Sequence, residues 1–103
     1  MAKKSVVWTN TAVKQRREIL EYWVKRNGNT KYSEKLISII KERIKIIVFN
    51  PFSGKKTNHI ETRVSALNNY SIFYKITGEN IVITAFWDNR QNPDKLLEII
   101  SKK

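Results

Sequence analysis

From Tyr70 to Ala85 the chain alternates between apolar and polar residues. Tyr70, Ile72, Tyr74 and Ile76 fall on one side of an extended segment, and Ile81, Ile83 and Ala85 on one side of the next. Thr77-Gly78-Glu79-Asn80 between them is turn chemistry, so the pattern predicts a hairpin. Its second strand leads into Trp87-Asp88-Asn89-Arg90-Gln91-Asn92, a polar cluster at a strand end and therefore a surface. Asn92-Pro93 reads as an N-cap with proline in the first helical turn. It opens a final helix over about Asp94–Ser101, with Leu96, Leu97, Ile99 and Ile100 apolar.

Upstream the period changes from two to 3.6. Lys4 to Trp8 predicts a short strand, and Asn10 or Thr11 caps a helix running to about Arg26. Ala12, Ile19 and Trp23, with Val13, Leu20 and Val24, form its apolar stripe, and Asn27-Gly28-Asn29 stops it. A second helix runs from about Thr30 to Asn50-Pro51. Tyr32, Leu36, Ile40, Ile44 and Ile47 line its inner face, flanked by Ile37 and Val48. The short connection makes the pair a helical hairpin. Pro51 to Asn58 is a loop by composition. His59 to Val64 predicts a strand with Ile60, Thr62 and Val64 on one face and His59, Glu61 and Arg63 on the other; Ala66 to Asn69 connects onward. The order βααβββα does not alternate strictly, which argues for a single α+β domain with the hairpin over one face of the sheet.

Charge narrows the function more than composition does. The 103 residues carry 20 Lys and Arg against nine Asp and Glu, a net charge of +11. That excess points to a polyanionic partner, nucleic acid or an acidic protein. Aromatic and basic residues do not interleave as on a single-strand stacking platform. With no cysteine and one histidine, neither a thiolate nor a His-rich metal site is available, and no cofactor is expected. No apolar run reaches membrane-spanning length, and Met1-Ala2-Lys3-Lys4-Ser5 lacks a signal-peptide core, so a cytoplasmic protein is expected.

Several of these pieces, in this order, resemble the RelE/ParE superfamily of bacterial type II toxins. They are Val7-Trp8 before a helix with Ala12 and Tyr22, Asn50-Pro51-Phe52-Ser53-Gly54-Lys55, Thr62-Arg63-Val64, Tyr70-Ser71-Ile72-Phe73-Tyr74 and Trp87 to Pro93. The resemblance implies a small, antiparallel-rich four-stranded sheet and an acidic cognate antitoxin as partner. Two activities occur in that superfamily: RelE-like members cleave mRNA on the ribosome, and ParE-like members bind and block DNA gyrase.

Metal-free RNA cleavage needs a base, cations for the phosphorane and an acid. His59, five residues after Gly54, is the candidate base, where some RelE-like nucleases resemble it with a carboxylate. Arg63, on the same predicted strand face, and Arg90, at the end of the last strand, are the candidate catalytic cations. Lys55, Lys56, Asn89 and Gln91 are the candidate nucleic-acid contacts. Against this, the family's nucleases commonly carry arginine where Ser71 stands, and a tyrosine or histidine near the C-terminus that is missing here. On balance the residues lean towards a ribosome-dependent mRNA endonuclease. The alternatives are a non-enzymatic gyrase inhibitor, which needs no catalytic groups, and an inactive relic that binds only antitoxin.

Overall fold

The computed structural model describes residues 4–90. Gln91, Asn92-Pro93 and the expected final helix lie outside that range. Strand β1 (Ser5–Trp8) leads into helix α1 (Asn10–Asn27) and, after a tight turn, helix α2 (Lys31–Phe49). A 3-10 turn (Pro51–Ser53) follows, and then strands β2 (Lys55–Lys56), β3 (Thr62–Leu67), β4 (Tyr70–Thr77) and β5 (Asn80–Asp88). The sheet order is β1-β5-β4-β3-β2, with β1 parallel to β5 and the other neighbours antiparallel. The fold is α+β, as the non-alternating order of the segments implies, with five strands instead of four because two loop lysines pair with β3.

Local chemistry sets the helix ends. Thr9, one residue before the expected cap, holds the Ala12 N–H through its hydroxyl at 3.1 Å. Gly28 closes α1 at φ 71, and its N–H reaches the Val24 carbonyl. The apolar stripes then meet the sheet. Ala12, Leu36, Ile40 and Ile47 join Tyr70, Ile72, Tyr74, Ile81, Ile83 and Phe86 in one buried core.

Two sequence expectations fail for identifiable reasons. Phe73 pairs with Ala85 but Tyr74 pairs with Ile83, so Thr84 is an extra residue, a β-bulge. The bulge reverses the parity of β5. Ala85 leaves the face of Ile81 and Ile83 and clusters with Trp87 and Phe73, while Phe86 turns into the main core. The predicted strand at His59 begins only at Thr62. The Thr57 hydroxyl accepts the His59 N–H and donates to the Thr62 carbonyl, organising residues 57–62 as a turn with Glu61 at φ 57. Ile60, expected on a strand face with Thr62 and Val64, is 79% exposed. The strand instead continues to Leu67, and a tight turn at Asn68-Asn69, with Asn68 at φ 56, joins it to β4.

Candidate functional site

The candidate residues occupy both ends of the sheet. At one end, Arg63 pairs across the sheet with Lys56 on one side and Tyr74 on the other. Its guanidinium donates to the Gly54 carbonyl at 2.7 Å and lies 5.0 Å over the Phe52 ring, so it ties down the loop after α2. Lys55 and Lys56 are exposed on the two-residue edge strand, where charge also discourages pairing with another chain. A shallow cleft of about 230 Å³ is lined by Phe52, Lys56, Thr57, Glu61, Arg63 and Ile76 among others. His59 sits in the preceding turn and does not line it. The shared strand face expected for His59, Glu61 and Arg63 therefore does not form, because only Arg63 is in the strand.

Arg90 stands at the opposite end. Arg63 is in register with Tyr74, whereas Asp88 is in register with Tyr70. Four residues of strand separate those rows, roughly 13 Å at about 3.3 Å per residue, and Arg90 lies further out still. His59, before the start of β3, extends the other way. The structure thus brings Arg63 beside Lys56 but does not bring either to Arg90.

Arg90 belongs to a different constellation. Its Nε and Nη2 grip the two Asp88 carboxylate oxygens at 3.0 and 2.8 Å, and its own N–H also reaches that carboxylate. These hydrogen bonds hold the Asp88 carboxyl below its ordinary range and push the guanidinium's ionisation upward. Arg90 lies 5.7 Å over the Trp23 ring, and Arg26 lies 6.0 Å from the same ring. The Trp23 indole donates to the Tyr70 hydroxyl at 2.8 Å. Tyr22 meets Trp23 edge-on at 5.1 Å, and Tyr32 meets it at 4.8 Å. Burial raises the Tyr70 phenol above its usual value, so it stays a neutral hydroxyl. Asn89 accepts a hydrogen bond from Ser71 at 2.7 Å and caps the strand pair through its N–H to Asn69. Ser71, where the resemblance to RelE-like nucleases implies an arginine, is thus spent on strand-end geometry.

Sequence periodicity does not reveal this cluster, because the 3.6 spacing places Trp23 on the core stripe of α1. The available signal was Tyr22, just off that stripe and four residues before Arg26. Apolar surface also remains at the end of α2, where Ile46, Phe49 and Phe52 are exposed, Phe49 by 92%. Among the described residues no three His, Asp or Glu side chains gather as a metal site, and no helix is long and apolar enough to cross a membrane.

Residues 6–93 match the family model of the ParE toxin of the type II toxin-antitoxin system, parDE. The chain belongs to the ParE toxin family. A solved structure titled "Chromosomal ParDE TA system from P. aeruginosa" contains a similar chain, with a TM-score of 0.70 and 23% identity over 82% of this chain and 94% of that one. At that identity the likeness establishes a shared fold. No curated protein matches this toxin. The toxin reading of the sequence stands, and family membership moves the weight from the RelE-like nuclease to the ParE-like alternative.

Proposed function

We propose that this toxin arrests growth by binding DNA gyrase, without chemistry of its own, and that an acidic antitoxin neutralises it. The observation that carries the reading is the dispersal of the groups an RNA-cleaving site would need. His59 is on a turn, Arg63 is committed to the loop at Gly54, and Arg90 is committed to Asp88 at the far end of the sheet. General acid–base cleavage requires base, cation and acid within hydrogen-bond reach of one phosphate. A binding toxin makes no such demand, and the ParE family match supports it.

The test pairs two assays on the full chain: DNA supercoiling by purified gyrase, and integrity of mRNA in a translating extract. Supercoiling should fall while mRNA stays whole. Cut mRNA with supercoiling intact would restore the nuclease reading. Its site would then have to be the Lys56, Glu61 and Arg63 cleft, and Glu61→Gln would abolish the cutting. Normal growth on induction without antitoxin, at good soluble expression, would leave only the inactive relic.

A further inference from the structure

The aromatic and cationic cluster at the Arg90 end of the sheet is rooted in the core through Tyr70 and Tyr32 but opens to solvent at Tyr22, Arg26 and Arg90. Tyr22 is 53% exposed, and the Arg90 side chain is about as open. Trp, Tyr and Arg are the residues that dominate protein interfaces: the aromatics offer large contact area with little conformational freedom to lose, and arginine offers a planar fork of donors. Here that freedom is already restricted. Trp23 is fixed by the Tyr70 hydroxyl and by Tyr32, and the Arg90 fork is fixed by Asp88. Arg90 meets Asp88 through Nε and Nη2, which leaves Nη1 pointing elsewhere. Asp88 neutralises Arg90, and the Arg26 guanidinium is left without an acid of its own among the described residues.

We propose that the surface of Tyr22, Trp23, Arg26 and Arg90 is the hot spot by which this toxin grips its target, and that it receives a carboxylate-bearing protein segment. The proposal rests on the reading of a toxin that binds a protein target. Charge complementarity selects an acidic occupant, and the chain's net charge of +11 reinforces it at a distance. The geometry favours a protein over a nucleic acid strand. The Trp23 ring already has two guanidinium groups and two tyrosines as neighbours, so a base would have to displace one of them to stack on it.

The test uses the full chain with Tyr22→Ala and Arg26→Glu, and Lys35→Ala on α2 as a control outside the patch. Each patch variant should bind purified gyrase about thirtyfold more weakly. Each should melt like wild type and still bind antitoxin, while Lys35→Ala behaves as wild type. Patch variants with unchanged gyrase affinity would overturn the proposal, as would variants that lose antitoxin and keep gyrase. If wild type does not bind gyrase at all, the functional reading fails separately, and growth arrest then decides the patch. Arrest abolished by Tyr22→Ala and Arg26→Glu supports a target-binding hot spot, and arrest that persists in both sinks it. Loss of binding to a single-stranded RNA oligomer, with no protein affinity changed, would replace the occupant by nucleic acid.

Discussion

Tyr74 shows how one hydroxyl holds the loop after α2. The side chain is fully buried, and its oxygen accepts the Gly54 N–H at 2.9 Å and donates to the Pro51 carbonyl at 2.7 Å. Gly54 has an ordinary backbone conformation; it is glycine because a Cβ would lie 2.2 Å from that hydroxyl. Tyr74→Phe strands a buried donor and acceptor and should cost about 1–3 kcal/mol in a denaturant melt. Gly54→Ala should cost about the same by overpacking. Asp88 gives a pH signature. Its folded pKa lies below the unfolded 3.8, so its contribution is complete above that value and is lost as pH falls through the depressed one. Asp88→Asn should lose stability near neutral pH and show a flatter acid dependence than wild type below about pH 4. Equal acid slopes for the two proteins would rule out this ion pair as a source of stability.

Among the elements, β5 carries the most information. It is central for its first half, with β1 on one side and β4 on the other, but β1 ends at Trp8 opposite Ile83. Beyond that point the Phe86 N–H has no strand to meet. Gln15 on α1 supplies the acceptor at 2.9 Å, although its own Nε2 stays buried without a partner. Gln15→Ala should therefore cost about 1–3 kcal/mol and selectively speed hydrogen exchange at the Phe86 amide. Uniform exchange across β5 in that variant would mean that the glutamine only fills space. At the other edge, β2 needs no such repair, because it is two exposed lysines long.

For the whole molecule the main fact is uncompensated charge. Among the described residues only Glu42 with Lys45 and Asp88 with Arg90 form ion pairs, against a net charge of +11. An acidic antitoxin should associate quickly at low salt and slow by about tenfold or more between roughly 0.05 and 0.5 M salt. Stopped-flow rates that do not respond to salt would exclude electrostatic steering. The apolar end of α2, with Phe49 and Phe52 open, gives such a partner hydrophobic surface to cover.

The sequence by itself determined the elements whose signals are local. Alternation placed the β4–β5 hairpin, Gly28 ended α1, the 3.6 period built both helices, and the order of motifs pointed to the toxin superfamily. Register and convergence are not local, and the tertiary structure decided them. One extra residue, Thr84, swapped the faces of Ala85 and Phe86, because strand parity depends on the partner's pairing as well as on the strand's own alternation. The Thr57 hydroxyl captured residues 57–62 for a turn, so an alternating run that suits a strand never entered the sheet. His59, Arg63 and Arg90 read as one site along the chain, but the topology set them at opposite ends of the sheet. It placed Arg90 beside Trp23 and Tyr22, 67 and 68 positions earlier in the sequence, where packing between α1 and the end of β5 brings distant residues together.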